Sequence, residues 1–425
     1  MSSHKYAWLF LLVPASGWAN TQLSAGYSAE YVDNAAFVPS EETSDIIHRP
    51  RLALSTAQEI QRLRLDANYT VEEEIYQDSQ FGDTSIIEGR GSLNWLSPRE
   101  IFTANVSNSR SERLISSSDR NTPDNRQVID QSTAFVQAKF GSFGNQYISS
   151  AVEYEEVSAK KSDTNSSRES VSVGYWFPRG EDSIMGFEAT RMEVDFDDPA
   201  SVDYSSDSLR FSFRRDFHPV SVAVELGVAE IDRSRGREDF DQNTVSVEAS
   251  WDLRERTSLS FAYRRGIEDN TLNQPLLDFG TLQQPIVDNS GLNEIFVDTR
   301  KTIGISTEFG RYKVRGSLEI SDIDYREALS DEERRGLSLE ISRAFSPRLT
   351  GRLTGYASES EFLDADRETE DMDLELSLSY QANPKLDVSL GASRFSRDDG
   401  LTVDSDIEAL AIVLSVNYLV FSSAY

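Results

Sequence analysis

The sequence predicts an all-β protein, a single transmembrane antiparallel up-and-down β-barrel of about 20 strands, with about 18 as the alternative count. Three observations carry that prediction. From Asn20 onward apolar and polar residues alternate with a period of two in one segment after another. The segments are joined by connections that are alternately short and long, and aromatic residues recur beside the short ones.

Residues 1–19, MSSHKYAWLFLLVPASGWA, read as a removed secretory signal peptide. His4 and Lys5 give a basic start, an apolar stretch runs from Tyr6 to Val13, and Gly17 and Ala19 suit the small-residue positions before a cleavage site. That stretch is too short to span a bilayer as a helix. Residues 20–425 are then the barrel.

The alternation is clearest in four windows. Leu63, Leu65, Ala67, Tyr69 and Val71 interleave with Arg62, Arg64, Asp66, Asn68 and Thr70, and Val245, Val247, Ala249, Trp251 and Leu253 with Ser246, Glu248, Ser250, Asp252 and Arg254. Tyr312, Val314, Gly316, Leu318 and Ile320 alternate with Arg311, Lys313, Arg315, Ser317 and Glu319; Met372, Leu374, Leu376, Leu378 and Tyr380 alternate with Asp371, Asp373, Glu375, Ser377 and Ser379. A period of two puts each set on one face of a strand.

Short connections such as LSPRE (Leu96 to Glu100), FPRGED (Phe177 to Asp182), FSPRL (Phe345 to Leu349) and QANPK (Gln381 to Lys385) carry proline, glycine or a basic residue. The long ones are polar and acidic: Glu193 to Asp207, Ser321 to Gly336, Ser358 to Asp373, and the widest, Glu268 to Glu294. Short turns on one side and long loops on the other are the asymmetry of an outer-membrane barrel, short on the periplasmic side and long on the extracellular side.

Composition agrees. The 425 residues include no cysteine, 42 Lys+Arg and 72 Asp+Glu, for a net charge of -30, and 38 % are hydrophobic. Lack of cysteine excludes a disulfide framework, a thiolate metal site and a cysteine nucleophile. The negative charge argues against nucleic acid as a partner. No apolar run reaches the about 20 residues of a spanning helix.

A bilayer accepts an apolar outer face, and closure of the sheet satisfies the backbone. The polar face must then line a lumen. The expected lining is Arg62, Arg64, Asp66, Arg210, Glu248, Asp252, Arg311, Lys313, Arg315, Glu319, Arg352, Asp373 and Glu375. Trp95, Phe140, Phe177, Trp251, Phe309, Phe345 and Tyr380 all lie near short turns, where a periplasmic interfacial girdle belongs. No plug domain is visible, so any constriction must come from loops folding inward or from lumen side chains. In the last segment Leu410, Ile412, Leu414, Val416, Tyr418 and Val420 share a face and the chain ends on Tyr425, an ending suited to the outer-membrane assembly machinery, although Ser423 departs from it.

The segment SAGYSAEYVDNAAFVPSEETSDIIHRPRLALS, with Tyr31, Asp33, Asn34, Asp45, Pro50 and Leu52, resembles the start of the beta-barrel porin 2 family. RGSLNWLSPREIFTANVSNSRSER is similar to the matching stretch of its relatives from exopolysaccharide and PEP-CTERM gene clusters. The specific likeness covers about the first hundred mature residues; beyond it only the architecture is shared. The resemblance implies an outer-membrane barrel serving polysaccharide export, and it carries over no catalytic or binding motif.

Chemistry is otherwise sparse. Only His48 and His218 remain outside the leader, too few for a distinctive hydrolase constellation. No cofactor is implied. Asp364, Asp366 and Glu368, with Glu375 further on, have something of a calcium loop's spacing, but Thr369 stands where the turn needs glycine; Asp195, Asp197 and Asp198 form a second acidic group. Solvation of a surface explains both; the alternative is that several such loops share Ca²⁺ or Mg²⁺ with lipopolysaccharide phosphates, which leaves the metal assignment unknown. The mixed signs of the expected lining suit a neutral or weakly charged saccharide, or general diffusion, better than an anionic polymer. The expected partners are outer-membrane lipid and lipopolysaccharide, saccharide cargo and polysaccharide-export proteins. A non-conducting scaffold barrel is the competing expectation.

Overall fold

The computed structural model describes residues 20–423 apart from 39–42, 79–80, 115–122, 144–145, 162–164, 181, 199–200, 270–294, 327–330, 364–366, 399 and 401–405. The expected leader, Asp364, Asp366, Tyr425 and most of the widest connection therefore lie outside the described residues.

Twenty strands follow one another: β1 (Thr21–Val32), β2 (Asp45–Ile60), β3 (Leu63–Tyr76), β4 (Thr84–Leu96), β5 (Phe102–Leu114), β6 (Arg126–Phe143), β7 (Gln146–Ala159), β8 (Ser166–Pro178), β9 (Ser183–Phe196) and β10 (Tyr204–Phe217). The second half comprises β11 (Val220–Arg233), β12 (Phe240–Arg254), β13 (Thr257–Asp269), β14 (Ile295–Phe309), β15 (Tyr312–Tyr325), β16 (Glu332–Ser346), β17 (Leu349–Phe362), β18 (Arg367–Asn383), β19 (Leu386–Asp398) and β20 (Ile407–Ser422). Each strand pairs antiparallel with the next, and β20 pairs with β1 from Gln22↔Ser422 to Val32↔Ala411, which closes the sheet. Even strands pass to odd ones through tight turns such as Gln61-Arg62, Glu255-Arg256 and Gly310-Arg311; at Gly310 the φ of 63° is one that glycine adopts without penalty.

Register sorts the side chains into two faces. On β18, Tyr380, Leu378, Leu376, Leu374 and Met372 stand outward and exposed, and their neighbours across the ladders are Leu349, Gly351, Leu353, Gly355 and Ala357 on β17. The same belt runs on through Val136, Val152, Val171, Leu209, Val228, Ile303, Leu318, Leu337, Leu390 and Leu414, all exposed. A continuous apolar surface of this extent is stable against lipid rather than water. On β5 the belt ends early: after Phe102, Ala104 and Val106, the outward Asn108 takes a bond from the Tyr69 hydroxyl (2.9 Å) and donates to Asp130 (2.6 Å).

Above the belt the strands continue. Residues 193–196 end β9, 321–325 end β15, 358–362 end β17 and 367–373 begin β18, so much of the acidic sequence expected in long loops is paired strand. The correction has a simple cause. Above the belt the outward positions meet water and turn acidic, and the apolar set of 193–196 and 321–325 (Val194, Phe196, Ile323, Tyr325) moves to the buried inner face, so the parity that marks the belt is inverted while the backbone ladder persists. Outward pairs such as Arg191 with Asp207 (3.5 Å) and Arg394 with Glu408 (3.0 Å) mark this polar wall. Between β4 and β5 the ladder stops at Gly89↔Arg110, although both strands run on above it.

Buried side chains gather at the long-connection end, on the inner face. Ile295, Phe296, Val297 and Asp298 of β14 are four successive buried residues, whereas a strand within a two-faced wall buries alternate ones. Ile295 packs with Val194, Phe196, Tyr204 and Ile231 of β9 to β11, while Phe296 packs with Ile323 and Tyr325 of β15. The β12–β13 ladder ends at Val245↔Arg265 while β14 stays paired with β15 up to Phe296↔Tyr325, so the upper end of hairpin β13–β14 parts from β12 and leans into the barrel mouth. Gln127, Val128 and Ile129 of β6 show the same signature, with Ile129 against Val157 and Ala159 of β7. Each such buried aliphatic or aromatic side chain contributes about 1.5–3 kcal/mol.

Leu376→Arg, at the centre of the belt, is expected to cost about 2–4 kcal/mol of stability in phospholipid vesicles. Ser377→Arg, one residue away on the inner face, should leave the urea midpoint followed by tryptophan fluorescence near that of the parent protein.

Candidate functional site

The lumen and its outer mouth form the candidate site. Arg64, Asp66, Arg210, Glu248, Asp252, Lys313, Arg315, Glu319, Arg352, Asp373 and Glu375 all take inner-face register positions. Arg62 and Arg311 do not: they occupy the two-residue turns after β2 and after β14 and sit at the rim. Basic residues are common in such turns because they solvate well, and a window of alternation cannot tell a turn residue from the first position of a strand.

The inner charges are spread around the wall, and several are neutralised locally. Arg210 bridges Glu188 (2.5 Å) and Glu225 (3.2 Å), one on each neighbouring strand. Arg64 pairs with Asp66 (2.7 Å), Lys313 with Glu308 (2.8 Å) and Arg315 with Glu340 (3.8 Å). Glu188, Glu225, Glu308 and Glu340 escaped the sequence reading because cross-strand partnership appears only once register is known. Such solvent-exposed pairs add little to stability. Their larger effect is to flatten the field along the lumen. Between them the wall carries hydroxyls paired across strands, Ser221 with Ser250 (2.6 Å), Ser317 with Ser338 (2.6 Å) and Ser389 with Ser415 (2.5 Å). Short hydroxyl side chains take little room and offer hydrogen bonds to the lumen.

The mouth is built differently. Asp269, at the end of β13 and only 2 % exposed, accepts two hydrogen bonds from the buried Arg168 of β8 (2.7 and 2.9 Å) and one from the Tyr204 hydroxyl (2.8 Å). Strands β9 to β12 stand between β8 and β13 in the wall, so these bonds tie the inward-leaning hairpin to the inner surface beside it. Arg168 also faces Glu155 (3.6 Å), itself bonded to Gln131. On the other side Arg126 of β6 reaches Glu74 of β3 (2.9 Å) and Glu112 (3.0 Å), and Glu74 also receives Arg49 (2.9 Å) and the Tyr76 hydroxyl (3.1 Å). Arg49 in turn pairs with Glu30. Buried charges persist only when paired and hydrogen-bonded in this way.

The seven expected girdle aromatics all take outer-face positions near the short turns. Trp95, Phe140, Trp251, Phe309, Phe345 and Tyr380 are exposed, and Phe177 lies half-buried edge-on to Tyr175 (centroids 4.4 Å apart). Phe102 meets Phe140 edge-on in the same ring. The two histidines stand at opposite ends of the barrel. His48 lies on the outer face towards the long connections, with its Nδ1 2.6 Å from the Tyr27 hydroxyl, and His218 lies in the turn after β10. Glu368 and Glu375, seven positions apart on β18, point to opposite faces and cannot share a cation. Among the described residues no three carboxylate or imidazole groups converge as a metal set.

Arg168→Ala leaves Asp269 buried without its main counter-charge and is expected to lower unfolding free energy by about 3–5 kcal/mol in a denaturant titration. The pair Glu188→Gln with Glu225→Gln frees the Arg210 guanidinium, and the reversal potential in a KCl gradient should move towards anion selectivity.

No protein-family model and no curated protein matches the chain. Among solved structures it is similar to the FrpB iron transporter from Neisseria meningitidis (F5-1 variant), with 9 % identity over 94 % of this chain and 82 % of that one and a TM-score of 0.50. It also matches the siderophore receptor PirA from Pseudomonas aeruginosa (13 % identity, 94 % and 80 % covered, TM-score 0.47) and OccK2 (OpdF) from the same organism (12 %, 95 % and 100 %, 0.41). At such identities the FrpB likeness is one of fold. With the closed ladder and the apolar belt, it gives an outer-membrane β-barrel.

Proposed function

We propose that the barrel is a porin-like channel through which saccharides or other small polar solutes cross the outer membrane by diffusion. The observation that carries this reading is the inner wall itself, lined by short hydroxyls and by charges of both signs, several of them paired across strands. A wall of mixed sign offers hydrogen bonds without the single-sign cationic field that a polyanion would need, which suits a neutral, heavily hydroxylated solute better. Passage of exopolysaccharide is the finer form of the proposal. It rests on the N-terminal resemblance and would depend on periplasmic and inner-membrane partners for direction, since the chain has no nucleotide motif. A reading without catalysis is supported at His48, whose neighbour is the Tyr27 hydroxyl, where a lipid hydrolase would need a serine and an orienting group.

A non-conducting scaffold is the second reading, favoured by the hairpin ends that occupy the mouth. Planar bilayers separate the two. The expected result is discrete channels of low conductance in the parent protein and larger ones in Asp269→Ala, where the β13–β14 end is untied from Arg168 and Tyr204. No current from either protein would sink the channel and leave the scaffold.

A further inference from the structure

We propose that Tyr147 and Trp176 form a docking subsite for a pyranose ring inside the short-turn end of the lumen; the proposal deepens the saccharide reading above and rests on it. The two residues face each other across the β7–β8 ladder, on the inner face, Tyr147 next to the start of β7 and Trp176 two positions before the end of β8. Their rings are nearly parallel, 21° apart in plane with centroids 6.4 Å apart.

The indole is laid flat on the wall. A Cβ at Gly174 would fall 2.6 Å from its Nε1, and one at Gly186, its direct partner across the β8–β9 ladder, would fall 2.5 Å from its Cε3. Two glycines on adjacent strands therefore make the seat, and the ring turns one face to the backbone and the other to the lumen. Nε1 donates to the buried Ser149 hydroxyl at 2.8 Å, which fixes the ring's direction. The Lys139 ammonium stands 5.6 Å over the Tyr147 ring and supplies a donor beside the platform.

An aromatic surface in a serine-lined passage is an apolar patch; Lys139 covers part of the Tyr147 ring, and the lumen-facing side of the indole is left for a ligand. The electron-rich ring face attracts the polarised C–H groups on the flat side of a pyranose, while the sugar's hydroxyls find Lys139 and neighbouring hydroxyl groups. The occupant that fits is a hexose unit of a neutral oligosaccharide, held weakly enough to move on.

The test titrates maltohexaose into the full-length protein in detergent micelles and follows binding by calorimetry, each variant first shown to be folded by its heat-shifted electrophoretic mobility. The parent protein is expected to bind in the millimolar range. Trp176→Ala should weaken binding by about tenfold or more. Gly174→Ala keeps the indole but lifts it from its seat and breaks the Ser149 bond; it should weaken binding similarly, and it serves should the tryptophan variant fail to fold. Absence of heat with the parent protein, or parental affinity in these variants, overturns the subsite. Bilayer current tests passage separately: current without sugar binding removes the subsite alone, and sugar binding without current removes the channel alone.

Discussion

Everything in this molecule depends on the ladder between the first strand and the last. In hydrocarbon an unpaired backbone N–H or C=O costs several kcal/mol, so a sheet that ends in a free edge cannot stay there. The β1–β20 pairing removes both edges. Once the sheet is closed, a period of two has only one possible meaning: one set of side chains meets lipid and the other meets the enclosed space. The apolar belt, the polar lumen and the low overall hydrophobic fraction are three views of that single constraint.

Closure in lipid also explains why the two ends of the barrel follow different rules. Within the belt the wall is two-faced, and those of its inner charges that pair do so with exposed neighbours at little energetic consequence. Above the belt the wall stands in water on its outer side, and the chain is free to spend strand ends on the interior. There the hairpin ends β5–β6 and β13–β14 acquire a buried apolar seam and deeply placed ion pairs, the features of a soluble protein core rather than of a porin wall. The mouth is thus a small folded structure carried on top of a membrane cylinder.

The architecture was legible because lipid imposes alternation on nearly every strand, with few polar interruptions such as Ser150 and Asn108. The strand count, the closed up-and-down order, the inner positions of Arg64, Arg210 or Asp373 and the outer positions of Trp95 or Tyr380 all follow from parity. What parity could not show was where a strand stops. Arg62 and Arg311 continue the alternation and yet lie in turns, and acidic runs such as 193–196 read as loop although they extend the ladder. The partners of Arg210 and the tie between Arg168 and Asp269 were invisible for a different reason: both depend on distances between strands, which no single segment encodes. The inward lean of β14 left one trace, four successive residues of which three are apolar, at the edge of the widest connection.

The early end of the β4–β5 ladder has one more implication. Past Gly89 and Arg110 the facing backbone edges of these two strands lack a common ladder, and in one place a carboxylate of Glu88 takes the N–H of Glu112 instead. Such a wedge is tolerable only where water can enter it. It therefore brings water against this one seam of the outer wall, beside the polar cluster of Tyr69, Asn108 and Asp130, while apolar Val71 stays exposed on β3 next to it: the edge of the belt is uneven, and lipid headgroups must follow it.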